Sequence, residues 1–541
     1  MSASMIDFTR KACIYFLSGL MGGLPLLAVA QSTTITFRIE KRYINIPVEA
    51  RANRQRVVFD VDGIDSTAAV IRVATSTPDY WVYRDVSAMK GRTITLRFAH
   101  RVEGISRIHQ DDRFPGQDSL YRESLRPQVH FSTQRGWNND PNGLVWHDGE
   151  YHMYYQHNPY EREWENMHWG HAVSKDLIHW EELPAALFPD TLGTMFSGSA
   201  VIDQQNTAGF GKSALVAIYT AAGKRMTQNI AYSLDRGRTF KKYSGNPLLG
   251  PDRDPKVFWY APGRHWVMAL YNENYVAIYN SPDLKNWTYK SQVKGFYECP
   301  ELFELPVDGN PAQRKWVMYA ASGTYMIGRF DGTVFTPEKG KYHYQTGVMY
   351  AAQTYNNTPD GRRIQIGWGR VESPGMPFNQ LMLFPQALSL KTTSEGVRLF
   401  CNPIPEISTL HRTHHDLSGL SVAAANERLK TVPSDLLHAV MDIEIDKGLG
   451  LELFYKGNPI LFYDGNFTKF NGFPYESEKP GAFRFRIEMI LDRTTIEGYV
   501  DGGKLFVSDA LRPAKSTNGL ELRGDLKIHR FDLYELGSIW K

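Results

Sequence analysis

The middle of the chain repeats, and the repeat leaves few folds open. SKDLIHW from Ser174, SLDRGRTF from Ser233 and SPDLKNW from Ser281 each set a serine, an aspartate two positions on and an aromatic residue six or seven positions on, with starts 59 and 48 residues apart. A weaker echo, GRFDGTVF from Gly328, follows at a similar interval. A period of about 50 made only of strands and turns fits a β-propeller, with one four-stranded blade per repeat. Hairpins recur in step with it, as LVWHDGEYHMYYQ, KVFWYAPGRHWVMAL, LFELPVDGNPAQRKWVMYA and TYNNTPDGRRIQIGW, turning at Asp148-Gly149, Pro262-Gly263, Asp308-Gly309 and Asp360-Gly361. A less regular one lies in GSAVIDQQNTAGFGKSALVAIYTA, so five hairpins predict five blades between about Arg126 and Thr393.

The flanks read differently. From Thr33 to about Ala99, short runs such as TITFRI and TITLRF alternate apolar and polar residues, which predicts a small β-sandwich. Polar residues dominate from His100 to about Pro127, and a linker is expected there. Beyond about Cys401, LELFYKGNPILFYDGN and RFRIEMILDRTTIEGYVDGGKLFV alternate again around tight turns such as Asp501-Gly502-Gly503, predicting a second sandwich. The expected fold is all-β: a five-bladed propeller over residues 126–400, a linker and C-terminal sandwich over 401–541, and a sandwich-like domain with its linker over 31–125.

Residues 1–30 read as an address. Arg10 and Lys11 precede an apolar stretch from Ala12 to Leu27, and Ala28-Val29-Ala30 closes it, the layout of a secretory signal cleaved after Ala30. The stretch is too short and too interrupted for a membrane span. Cleavage would remove Cys13 and leave only Cys299 and Cys401, too few for a disulfide framework and not in a zinc-binding spacing. With 61 basic against 58 acidic residues and no basic run, nucleic acid is excluded as an expected partner.

Acidic residues recur at one phase of the repeat. Asp140-Pro141, Asp254-Pro255 and Glu298-Cys299-Pro300 precede their hairpin turns by eight, eight and ten residues, so each is expected to begin an inner strand of a different blade. Blades are radial, and residues at equivalent inner positions converge on the axis. Three carboxylates in one funnel raise one another's pKa and favour a shared proton, and a protonated carboxyl beside an ionised one is the apparatus of glycoside hydrolysis. Arg253 would offer planar hydrogen bonds to them.

The order of HFSTQRGWNNDPNG from His130, then MYYQHNP, WENMHWGHAVSKDLIHWEELP, FSGSA, RDPKVFW, YECPELFELP and RRIQIGWGR, resembles glycoside hydrolase family 32, the β-fructosidases, from about residue 126 to the C-terminus. The segment before it is similar to the extra N-terminal domain of some bacterial fructan-degrading members. The resemblance implies Asp140 as nucleophile, Glu298 as general acid and then base, and Asp254 as a transition-state stabiliser beside Arg253. It implies fructose-pocket positions at Asn139, Gln156, Trp164, Phe196, Ser197 and Trp368. It further implies a retaining mechanism with the Asp140 and Glu298 carboxyls about 5 Å apart, a carbohydrate partner (a fructan or sucrose), and no cofactor or metal. A fructosyltransferase, an endo-acting fructanase and a non-catalytic fructan-binding propeller stay open as alternatives.

The chain departs from the family pattern at Thr133, Glu165 and Val348-Met349. Glu165 and Val348 are expected at the pocket rim, where they would alter leaving-side subsites. Other residues carry plainer expectations. Cys299 is a small buried hydrophobe, and His168 and His171 pack on opposite faces of a strand. His411, His414 and His415 lie in a polar linker. Tyr80 faces away from Trp81 and Tyr83 in a strand packed against its own core. Asn286, Asn356 and Asn466 head glycosylation sequons if the host is eukaryotic.

Overall fold

The computed structural model describes residues 32–63, 65–445, 449–465, 469–474, 483–517 and 519–540. The expected signal segment and the Asn466 sequon lie outside these.

Two small sheets open the chain. Thr33–Arg38, Thr93–Phe98, Gln55–Val61 and Asp65–Ile71 form one, and Tyr80–Asp85, Tyr43–Val48 and His109–Asp111 the other. Strand alternation turns Ile94, Leu96 and Phe98 inward against Ile44, Ile46 and Val82, giving the expected sandwich core. The segment read as a linker is not one throughout. His109–Asp111 pairs with Tyr43–Asn45, and Val102, Ile108 and Phe114 are buried. Its polar composition hid three apolar anchors spaced too irregularly to show as a strand.

Five blades follow, and their first strands are Gly136–His147, Thr194–Asp203, Arg253–Tyr260, Glu301–Val307 and Met349–Thr354; the first three are sheets of five, four and four strands, and the fourth and fifth are joined into one nine-stranded sheet by the parallel pairing of Val307 with Leu390. The last blade closes with Gln386–Thr393 and Gly396–Pro403, so it runs slightly past the expected end. The serine-aspartate repeat is a turn device at the end of each third strand. Ser174, Ser233 and Ser281 donate to Asp176, Asp235 and Asp283 at 3.0, 2.7 and 3.1 Å, and each aspartate then accepts backbone N–H groups of the turn. In the fourth blade Arg329 stands at the serine position, and Asp331 alone caps the turn. Asp148 and Gly149 take φ of 47° and 86°, the left-handed pair that a two-residue hairpin turn requires.

The inner strands are irregular at one level. Register breaks occur between Asn138 and Pro141, Met195 and Gly198, Arg253 and Lys256, and Tyr350 and Gln353. A β-bulge bends its strand and re-aims side chains. Glu298 was expected to begin its strand; it lies three residues before Glu301, because Glu298 and Cys299 take φ of 52° and 42° and leave the extended ladder.

The C-terminal sandwich pairs a seven-stranded with a five-stranded sheet around Met441, Leu453, Phe485 and Phe531. His411, His414 and His415 are not in a linker: His411–Asp416 is the edge strand of the larger sheet. His411 stacks on Tyr534 at 3.9 Å, and His414 and His415 bond Asp532 and Glu535. A run of histidines reads as polar, but here each ring has a cross-strand partner. Sandwich and propeller share a core cluster that includes Phe131, Ile366, Tyr499 and Phe506. At its edge the fully buried His130 bonds both Asp492 and Glu497 at 2.9 Å. Burial alone would lower the His130 pKa, but the two carboxylates override it and raise it to about 9.

Candidate active site

The bulges at Asp140 and Asp254 and the positive-φ turn that carries Glu298 bring the expected carboxylates into one bonded network. Asp140 Oδ2 accepts from the Ser197 hydroxyl at 2.6 Å and from Gln156 at 3.4 Å, while Asn139 donates to Oδ1 at 3.2 Å. Asn139 also donates to Gln156, and Gln156 to Ser197, so four residues from two blades close a ring around one carboxylate. Arg253 donates to Glu298 Oε1 at 2.6 Å and lies 3.7 Å from Asp254, and its guanidinium stacks 4.8 Å over the Tyr271 ring. The Cys299 backbone N–H donates to Asp254 at 3.2 Å, and its thiol lies 3.7 Å from Asp140. One turn thereby touches both aspartates.

Backbone strain is concentrated at this level. Asp254, Glu298 and Cys299 are non-glycine residues with positive φ, a conformation that costs about 1–3 kcal/mol each and persists only where the surroundings hold it. The electrostatics follow from burial. Desolvation, and then the charge of Asp140, raise the Asp254 carboxyl to about 7. Asp140 is raised by burial too, against the hydrogen bonds from Ser197 and Asn139. Burial pushes the Cys299 thiol well up, so it is a packed hydrophobe here.

The remaining expected residues adjoin the same network. Trp368 donates to Gln380 at 3.0 Å and meets Tyr350 and Trp137 edge to face. Phe196 adjoins Ser197 and meets Trp164 edge to face at 5.8 Å, and Trp164 is 49% exposed at the rim. Tyr350 was not singled out as a site residue, although its hydroxyl donates to Glu298 Oε2 at 2.5 Å. It directly follows the Val348-Met349 departure from the family pattern. Val348 packs against the main core. His168 and His171 bond Asn166 and His152 respectively, deep in the blade.

The rim loop is gripped by the N-terminal sandwich. Glu161 is 1% exposed and accepts both the backbone N–H and the guanidinium of Arg72 at 2.6 Å. Arg54 and Arg72 bind Glu163, and Arg54 also reaches Glu165 at 3.3 Å. Asn166 bonds both backbone groups of Val70, and Tyr160 enters the sandwich core to stack on Phe59. Trp164 therefore stands on a loop held at both ends by another domain. Nothing in the sequence signalled this, because ordinary surface arginines and glutamates give no pattern.

Carboxyl groups paired in a cleft are what hydrolysis of a glycosidic bond requires, and the class is that of a glycoside hydrolase. Residues 130–403 match the glycosyl hydrolases family 32 N-terminal domain, ending with the last strand of the fifth blade. The chain belongs to glycoside hydrolase family 32. It is 38% identical over 486 residues to a levanase of Bacillus subtilis, covering 78% of this chain and 72% of the relative. It is 36% identical over 362 residues to an extracellular exo-inulinase of Aspergillus niger, covering 54% of this chain and 67% of the relative. Among solved structures, the exo-inulinase of Aspergillus awamori aligns with a TM-score of 0.69 at 28% identity, over 78% of this chain and all of that one. A fructofuranosidase of Schwanniomyces occidentalis complexed with fructose aligns with a TM-score of 0.69 at 26% identity, over 77% and 99% of the two chains.

Proposed function

We propose that this chain is an exported β-fructan hydrolase that releases fructose from chain ends of levan or inulin, and from sucrose, by double displacement. The observation that carries the reading is the convergence of Asp140, Asp254 and Glu298 from three blades, tied together by Arg253 and the Cys299 turn. Levanase and exo-inulinase relatives support the substrate class.

Asp140 attacks the anomeric carbon of a terminal fructosyl unit and forms an ester. Ser197, Gln156 and Asn139 hold its oxygens and favour the ionised form that attack requires. Glu298, fixed on one oxygen by Arg253 and on the other by Tyr350, protonates the leaving oxygen, then takes a proton from the water that cleaves the ester. Asp254 responds to the same cycle. Its proton is held partly by the charge on Asp140, so esterification lowers its pKa, and the freed carboxylate stabilises the positive charge of the transition state for deglycosylation.

Product analysis on levan, inulin and sucrose in parallel tests the reading, with Asp140→Asn and Glu298→Gln as controls. Fructose as the sole early product, lost in both variants, is expected. Oligosaccharides would point to endo cleavage or transfer, and a folded protein releasing nothing from all three would overturn the hydrolase reading.

A further inference from the structure

The inner strands that begin at the carboxylates end at a second cavity. The strand starting with Arg253 and Asp254 finishes at Trp259 and Tyr260, and the one that follows Glu298 passes Glu304. At about 3.3 Å per residue the two levels are roughly 20 Å apart. The far cavity has a volume of about 570 Å³ and shares no lining residue with the carboxylate network.

Its lining has a definite chemistry. Trp259 is braced edge to face on Trp266 at 5.0 Å, and Trp316 on Phe330 at 4.9 Å, so both partly exposed indoles are held in place. Between them Glu304 is paired with Arg314 at 2.6 Å. Arg363 stacks 5.1 Å from the Phe303 ring, and its buried Nε has no hydrogen-bond partner. Charges of both signs, largely paired, disfavour an ionic ligand. Fixed aromatic faces beside the exposed amides of Gln204, Gln205 and Asn357 suit a neutral molecule with apolar C–H faces and hydroxyls, which is a sugar. The volume lies within the range of small-ligand sites.

We infer that this far mouth of the propeller is a second carbohydrate site that holds a short run of β-fructan away from the catalytic pocket. The inference rests on the proposed fructan specificity. Its effect is avidity: a polymer held at one mouth presents its other chain ends at a raised local concentration to the pocket. Small substrates gain nothing from it.

The test separates the two readings. In the Asp140→Asn background, migration through gels containing levan, inulin or a β-glucan is compared for the parent and for Trp259→Ala, Trp316→Ala and Gln204→Trp. The last fills the cavity from an exposed rim position without removing packing, and it carries the test if an alanine variant fails to fold. Retardation by a fructan is expected to fall about threefold or more in each folded variant, as loss of a sugar-stacking contact implies. With Asp140 intact, the same variants are expected to keep short fructo-oligosaccharide turnover within about twofold. Unchanged retardation in the variants, retardation only by the β-glucan, or no retardation of the parent in any gel each overturns the second site. Retardation lost in the variants of a chain that releases no fructose would keep the site and overturn the hydrolase reading.

Discussion

Glu161 and Arg72 lie 89 residues apart in sequence, and the backbone N–H and the guanidinium of Arg72 both close on the Glu161 carboxylate at 2.6 Å. This pair fastens the loop that presents Trp164 to the N-terminal sandwich. Arg72→Met removes the cation from a buried carboxylate and leaves it only the backbone N–H, at a cost of about 3 kcal/mol or more. The expected result is a lower Tm together with a raised KM and a smaller change in kcat. Arg72→Met combined with Glu161→Gln should recover most of the stability. A double variant no more stable than the single one would show that the two side chains are not coupled.

Glu165 occupies the same loop, and its partner is Arg54 at 3.3 Å. Glu165→Gly is expected to shift the ratio of sucrose to polymer turnover by releasing the rim. Both substrates changing in proportion would remove Glu165 from any account of chain-length preference.

Asp140→Asn and Glu298→Gln are each expected to lower kcat by about three orders of magnitude or more, as for groups that act as one unit. Glu298→Gln should leave attack possible on a fructoside with a good leaving group. Mass spectrometry of its peptides should then find a fructosyl ester on the fragment containing Asp140, and an ester on any other fragment would reassign the nucleophile.

Asp254 also makes a prediction about stability. Its folded pKa is about 7, well above the ordinary value near 4 that it takes when unfolded. Below about pH 4 both states carry the proton. Between about 4 and 7 the unfolded state gives it up and the folded state keeps it, so stability falls as pH rises. Asp254→Asn should flatten that fall, so the Tm of the variant relative to the parent should rise across this window. Parallel curves would contradict it.

His130 acts with the same sign in another window. With a folded pKa of about 9, its contribution is full below about pH 6.5 and disappears as pH rises through 9. His130→Gln should cost about 3 kcal/mol at neutral pH, the order of breaking a buried ion pair, and the gap to the parent should narrow above pH 9. Denaturant titrations at pH 7 and pH 9.5 would read it.

The five blades could be read from sequence because their turn chemistry is local. Ser-x-Asp closes its own turn within a few residues, so each copy leaves the same trace, and even the defective copy at Arg329 keeps its aspartate. The carboxylates could be read for a related reason, since Asp140 and Asp254 stand eight residues before a hairpin turn and Glu298 ten before its own. What stayed hidden is long-range. The clamp of Arg54 and Arg72 on the rim loop joins residues that carry no periodic signal, and the His411–Asp416 strand is defined only by its partner near Tyr534. The phase of Glu298 was missed by three residues because positive φ at Glu298 and Cys299 departs from the period that strand patterns assume.

The aligned breaks in register at Asn138, Met195, Arg253 and Tyr350 separate two kinds of freedom. Asp140 and Asp254 are aimed by a bulge within a blade, whereas Glu298 stands in the connection between Lys294 and Glu301 that joins the third blade to the fourth. The other connections can lengthen, shorten or be exchanged without turning the aim of an inner strand, whereas a one-residue insertion inside the strand below a bulge would reverse every side chain beyond it. For anyone grafting new substrate range onto this chain, those other connections are therefore the editable region, and the inner strands together with the Glu298 turn the fixed one.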